Sequence, residues 1–535
     1  MRVVVDLSRC QGYAQCAFLA PDVFRIRGDE ALLYDPEPDE RHRRDVVRAA
    51  AACPVQALLV DGVGDTRPPA STESSKAADA AGFRRHGSIV VVGCSLAGLR
   101  AAEALRAGGF HGSLTLIGDE PYEPYDRPPL SKQVLSGGAS PERTRLPLLD
   151  GDLDAEWRLG VPATGLDLPE HAVELADGER ISFDKVLIST GVRAREWPVP
   201  EEAALDGVCV LHSRDDAAGL RRRLEAGPRR LLVIGAGFTG SEVASACREL
   251  DLPVTVVTPG PAPLAGVLGS VIGEVAAQIQ REHGVDLRCG TTVVELGGDE
   301  RGRLRRARLS TGAVIEADVA VVAIGGTRNV EWLEGAGLAS SSWGIACDAG
   351  CRAFDENGVV TDDVFVAGDV ARAPHPMFGY QFLALEHWSS AVAEAEIAAH
   401  NMISAETDRW PNLHVPAFWS IQFDHDIRSV GVPPMADQVM VVDGSVDERR
   451  FVAAYGYKGR LVAAVAFDAV KWLDFYREAI EAAAPFPPWR RATTTGGPAE
   501  PVSPGLPPPQ FPARDATVVV TGHDPSERRA RLIRR

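Results

Sequence analysis

The chain has 535 residues, 45% apolar and 24% charged, which is too long for one core and ordinary for three or four globular domains. Its net charge of −18 argues against nucleic acid as a partner, because phosphate contacts need a basic face. No apolar run reaches the roughly eighteen residues of a membrane span, the opening MRVVVDLSRC is broken by charge where a signal peptide is unbroken, and nine cysteines are too sparse for a disulfide scaffold, so a reducing cytoplasm is expected.

Residues 1–62 read as a small α+β module. VVVD opens it as a strand, and VVRAAAACP is a helix that delivers Cys53. Cys10 and Cys16 lie in CQGYAQC, and Cys53 is followed at once by Pro54. Iron–sulfur clusters are held by Cys thiolates, and bacterial ferredoxins place the last ligand before a proline. Tyr13 stands midway between the first two cysteines, where a four-iron ferredoxin carries its middle ligand. Three thiolates hold three irons and leave one corner of the cube empty; four irons with a non-cysteine ligand is the alternative. Three unrelated buried cysteines or a zinc site are the other readings, but zinc takes four Cys or His ligands at short paired spacings, and no such pair is present here. The run resembles the small 3Fe–4S ferredoxins that serve bacterial haem-thiolate monooxygenases. That resemblance implies metal ligation by Cys10, Cys16 and Cys53.

Residues 63–86 (VGDTRPPASTESSKAADAAGFRRH) lack apolar periodicity and have the composition of a linker. From residue 87 the order strand, glycine turn, helix, strand occurs twice, once around GCSLAG and once around GAGFTG. Two doubly wound, Rossmann-like domains are therefore expected. They divide as residues 87–195, 196–322 and, on return to the first domain, 323–400. Residues 401–490 alternate like antiparallel strands and form a C-terminal α+β domain. Residues 491–535, which include TTTGGPAEPVSPGLPPPQFPARD, read as a disordered tail with a basic end.

In the first fingerprint Gly93 makes the tight turn and Gly98 allows close helix–strand packing. Ser95 takes the place of the glycine that a diphosphate approaches. Asp119 and Glu120 follow about twenty residues on, where a carboxylate accepts from ribose hydroxyls. The second fingerprint, Gly235, Gly237 and Gly240, is complete, so a nicotinamide dinucleotide is expected there. Its next strand ends in Thr258-Pro259, with neither the acid that favours NADH nor an arginine for NADPH, and the choice stays open. The other six cysteines are scattered, and no C-x4-C pair follows the first fingerprint. A redox disulfide of the glutathione or thioredoxin reductase type is thereby excluded.

The segments DEPYEPYDRPPLSK, STGVRAR, VFVAGDVA, EHWSSA and PAFWSIQF strongly resemble the FAD-dependent ferredoxin reductases of the putidaredoxin reductase type, over residues 87–490. The resemblance implies that Arg127, Pro128 and Lys132 line the isoalloxazine, that Asp369 binds the ribityl chain and that Trp388 sits against the ring. Glu242 is implied as the partner of Lys132, whose cation stabilises a flavin gaining negative charge. The whole then reads as a ferredoxin fused to its reductase, with FAD, an iron–sulfur cluster and NAD(P)H as donor. The expected acceptor is a separate monooxygenase of the cytochrome P-450 type. An NAD(P)H oxidase, a reductase for a Rieske-type oxygenase and a redox-sensing interaction protein are the other readings.

Overall fold

Strands that are apolar on both faces set the architecture, because both faces must be covered: Ile89, Val91 and Leu187 pack on helices, while Val90, Val92 and Val186 pack on a small antiparallel sheet through Leu166, Val173 and Leu175. The computed structural model describes residues 3–5, 15–27, 31–35, 38–52, 58–60, 80–149, 153–488, 497–506, 516–521 and 529–534. Cys10, Tyr13 and Cys53 lie outside the described residues.

In the N-terminal module β1 (Val3–Val5) pairs antiparallel with a later strand. It is followed by α1 (Gln15–Leu19), the hairpin β2 (Phe24–Arg27) and β3 (Ala31–Tyr34), then α2 (Arg43–Ala52) and β4 (Leu58–Val60), the partner of β1. Ala20, Val23, Phe24, Val46 and Ala49 form its buried core. Cys16 sits half-buried on α1 against that core, and α2 ends at the residue before Cys53.

The first large domain begins earlier than composition suggests. Residues 80–86 are helical, and Phe83 of that helix packs on Phe110 with ring centroids 5.7 Å apart, so the expected linker is shortened at its end. Then come β5 (Ser88–Val92), α3 (Leu96–Ala107), β6 (Ser113–Gly118), β7 (Glu156–Leu159) and β8 (Lys185–Ile188). The chain leaves for the second domain, built on β9 (Val208–Cys209), α4 (Arg214–Glu225), β10 (Leu231–Ile234), α5 (Phe238–Glu249), β11 (Val254–Val257), α6 (Ser270–Glu282), β12 (Asp286–Arg288) and β13 (Val319–Val322). Its sheet is parallel throughout, in the order β9-β13-β10-β11-β12. Val192–Ala194 on the way out pairs antiparallel with Gly326–Arg328 on the way back.

After that crossing, β14 (Arg352–Phe354) and β15 (Val360–Val366) complete the first sheet in the order β14-β15-β8-β5-β6-β7. Helix α7 (Trp388–Ile403) packs on α3, burying Ala395, Ala398, Ala399 and Met402. The third domain is an antiparallel sheet of β16 (Ala417–Gln422), β17 (His425–Gly431), β18 (Gln438–Ser445), β19 (Arg450–Tyr457) and β20 (Arg460–Phe467), covered by α8 (Leu473–Glu481).

Within the segment expected to be a disordered tail, residues 497–506, 516–521 and 529–534 make backbone pairs. Residues 497–506 run along the edge strand β18, where Val439 and Val502 exchange both backbone hydrogen bonds at 2.8 and 2.9 Å. The same strap reaches the second domain, where the Ser270 amide donates to the Pro504 carbonyl. Farther on, β21 (Ala516–Thr521) and β22 (Arg529–Arg534) form an antiparallel pair. Proline-rich sequence hid the strap, since an edge segment needs only some of its donors. No helix among the described residues is long and apolar enough to cross a membrane.

Candidate active site

Both glycine turns are required by backbone contact. Gly93 has φ +111°, and a Cβ there would lie 2.2 Å from the Ser189 carbonyl oxygen. A Cβ on Gly98 would lie 2.0 Å from the Gly93 oxygen. The second turn repeats this: Gly235 has φ +105° with the Ala323 oxygen 2.2 Å away, and Gly240 faces the Gly235 oxygen at 2.1 Å. Gly237 differs, because nothing stands within 4 Å of its Cβ position. That open space at the N-terminus of α5 suits a diphosphate. Ser95, N-cap of α3, makes no capping bond and lines the central cleft with its neighbours.

The cleft has a volume of about 340 Å³ and gathers Ser95, Arg127, Pro128, Lys132, Glu242, Asp369 and Trp388. Lys132 follows a 3-10 turn, Pro128–Ser131, whose prolines fix the backbone as the turn begins. Its ammonium lies 2.7 Å from the Glu242 carboxylate on α5; Glu242 is buried and Lys132 half-buried. Glu242 also accepts from Ser131 Oγ at 2.5 Å and from Ser420 Oγ at 2.6 Å. Three domains thus contribute to one carboxylate. Burying an ion pair is costly unless further hydrogen bonds support it, and here the two hydroxyls supply them.

Arg127 is fixed by three acceptors: Glu120 Oε1 at 2.6 Å, the Tyr125 hydroxyl at 2.8 Å and the His212 carbonyl at 3.0 Å. Tyr125 in turn donates to Glu120 Oε2 at 2.5 Å. Both Glu120 oxygens are therefore engaged within the protein, whereas Asp119 beside it is exposed. Burial and the Arg127 charge push His212 down to about 4, so its ring is neutral at pH 7.

Trp388 donates from Nε1 to Asp126 Oδ1 at 3.0 Å and meets Trp419 edge-on, centroids 6.2 Å apart. Phe238, the residue after Gly237, packs on Phe418 at 4.7 Å, and Phe418 on His387 at 5.2 Å. Burial pushes His387 down to about 4. Its Nδ1 and the Ser390 hydroxyl, both at the start of α7, are buried and have no hydrogen-bond partner among the described residues.

Asp369 follows β15 and Gly368, a turn residue with φ +79°. The Gly368 amide donates to Glu394 Oε2 of α7 at 2.8 Å. Burial and the neighbouring Glu386 carboxylate push Asp369 up to about 7, while Arg328, paired with Glu386 at 2.8 Å, acts the other way. Burial pushes Glu394 up to about 8.

Sequence reasoning named seven residues that share this cleft. It missed Asp126, His212, Phe238, Glu386, His387, Phe418 and Trp419, although Asp126, Glu386 and His387 lie inside the motifs DEPYEPYDRPPLSK and EHWSSA. Asp119, Glu120 and the glycines of the two fingerprints are not among the residues that line the cleft. The donor set fits a flavin dinucleotide: tight glycine turns, a helix start with partnerless buried groups, an acid beside Gly368 and aromatic walls.

A family profile described as pyridine nucleotide-disulphide oxidoreductase matches residues 87–395. The chain belongs to that family. Its C-terminal profile, described as reductase C-terminal, matches residues 417–495, and a 4Fe-4S single cluster domain profile matches residues 3–60. Rhodocoxin reductase of Rhodococcus erythropolis is 37% identical over 68% of this chain and 82% of its own length. The anthranilate 1,2-dioxygenase system ferredoxin–NAD(+) reductase component of Burkholderia cepacia is 34% identical over 76% of this chain and 98% of its own. Among solved structures, the ferredoxin reductase for the CYP199A2 system from Rhodopseudomonas palustris superposes with a TM-score of 0.69 at 28% identity, covering 75% of this chain and 96% of that one. This family member is an FAD-dependent NAD(P)H:ferredoxin oxidoreductase with an iron–sulfur domain on the same chain.

Proposed function

We propose that the chain passes electrons from NAD(P)H to its own N-terminal cluster and onward to a separate monooxygenase of the cytochrome P-450 type. The observation that carries this reading is the union of the cleft, with Lys132 and Glu242 joining two nucleotide domains, and a cluster domain on one polypeptide. Bound FAD supplies the conversion of a hydride into single electrons, and the cluster supplies a one-electron store.

The chain's own residues do the rest. Gly93, Ser95 and Gly98 admit the flavin diphosphate at the start of α3, and Asp369 accepts hydroxyls of the ribityl chain. Asp119 and Glu120 offer carboxylates to the adenosine ribose. Gly235, Gly237 and Gly240 admit the nicotinamide dinucleotide. Lys132 places its ammonium in the cleft, and Glu242, bonded by Ser131 and Ser420, holds it in place. Arg127, Pro128 and Trp388 wall the cleft and exclude water. Cys10, Cys16 and Cys53 hold the cluster, with three irons because Tyr13 offers no thiolate at the fourth corner.

Relatives whose names place them in dioxygenase systems favour a second reading, a Rieske-type oxygenase as acceptor. Reconstitution with each class of oxygenase distinguishes the two: substrate hydroxylation with a cytochrome P-450 and none with a Rieske protein is expected. Iron analysis and EPR test the cluster: about three irons per chain and a signal in the oxidised protein support three-iron ligation, and about four irons with no oxidised signal overturn it.

A further inference from the structure

The rim of the second dinucleotide site carries a hydroxyl where a charge would discriminate between coenzymes. Thr258 follows β11 and is buried, 7% exposed. Its Oγ1 accepts the Gly260 amide at 3.3 Å, so the hydroxyl is used within its own turn. The turn is pinned to the strand end beyond β12, where Thr258 exchanges backbone bonds with Arg288 and Thr291, and Gly290 donates to the Gly260 carbonyl. Its far end is fixed beside the fingerprint, since the Leu264 amide donates to Ala236 O at 2.9 Å. The segment from Thr258 to Leu264, TPGPAPL, contains no acidic or basic residue.

In a βαβ dinucleotide site, a carboxylate at the end of this strand accepts from the ribose 2′-hydroxyl and repels a 2′-phosphate. Thr258 carries no charge to repel a 2′-phosphate, and its hydroxyl already accepts from the Gly260 amide. The charges flanking the turn do not restore the repulsion. Asp286 is bound by Arg288 at 2.9 Å, and the exposed Arg281 acts on Cys289 beside Gly290 as a positive charge.

We propose that the nicotinamide site takes NADPH as well as NADH, and that Thr258 is the specificity-determining residue behind this tolerance. The proposal rests on the reading of the second fingerprint as the nicotinamide site. Flavin-loaded full-length protein is assayed for ferricyanide reduction with each coenzyme, native and Thr258→Glu. The native kcat/KM values for NADH and NADPH are expected to agree within about tenfold, and Thr258→Glu should raise the NADH-to-NADPH ratio about 100-fold, as a like-charge clash implies. A native preference beyond about tenfold in either direction overturns the proposal, as does an unchanged ratio in a Thr258→Glu protein that still turns over NADH. The native ratio decides alone if the variant does not fold. Failure of both coenzymes to support turnover would instead reject the nicotinamide-site reading itself.

Discussion

Lys132 of the first nucleotide domain and Glu242 of the second meet at 2.7 Å inside the protein. One ion pair therefore joins the two domains at the cleft. Lys132→Met is expected to keep FAD bound and to slow flavin reduction by NAD(P)H by roughly 2–4 kcal/mol in barrier, as loss of an oxyanion donor does. It also strands a buried carboxylate, at a cost of about 3–5 kcal/mol in stability. The double variant Lys132→Met/Glu242→Gln should recover much of the melting temperature and none of the rate. Stopped-flow hydride transfer at the native rate in Lys132→Met would remove the lysine from the chemistry.

Cys53→Ala tests the independence of the cluster module. The variant should lose iron and one-electron delivery to cytochrome c, yet reduce ferricyanide with NAD(P)H at close to the native rate. Loss of both activities would show that the flavoprotein requires the front module to fold.

The acids around Gly368 predict a pH dependence. Asp369 is pushed up to about 7 and Glu394 up to about 8, both by burial first. Unfolded Asp and Glu titrate near pH 4. The folded protein therefore binds more protons between about pH 4 and 8, and its stability falls as pH rises through that window. Glu394→Gln keeps an acceptor for the Gly368 amide and removes one of the two titrations. Melting curves of flavin-free protein should then fall less steeply from pH 5 to pH 8 than those of the native chain. Parallel curves would show that Glu394 does not carry the penalty.

The strap over residues 497–506 gives a fourth prediction. A chain ended before Gly497 exposes the β18 edge and frees the Ser270 amide, and its melting temperature should drop by about 2–5 °C. An unchanged melting temperature would mean that the strap adds nothing to the packed domains.

Much of this was legible in the sequence because the signals were local. Gly93, Gly98, Gly235 and Gly240 are dictated by backbone contacts within one turn and its neighbouring strand, so the two Rossmann units could be read from spacing. Lys132, Glu242, Asp369 and Trp388 came from motifs, and the structure brings them into one cleft. What escaped was long-range. Ser420 reaches Glu242 across 178 residues, and Trp388 reaches Asp126 across 262. No periodicity encodes such meetings. Glu120 illustrates the converse: spacing marked it for a ribose, while Tyr125 and Arg127, five and seven residues on, each donate to one of its oxygens. Proline masked the strap, because a single ladder bridge at Val502 needs no alternating pattern.

Rapid mixing of the anaerobic protein with NADH, followed by freeze-quenched EPR, tests the central claim that one chain is both reductase and acceptor. The oxidised cluster signal should disappear after flavin bleaching, at a rate that does not change when the protein is diluted. A rate proportional to protein concentration, or a cluster signal that persists while the flavin bleaches, would contradict transfer within the chain.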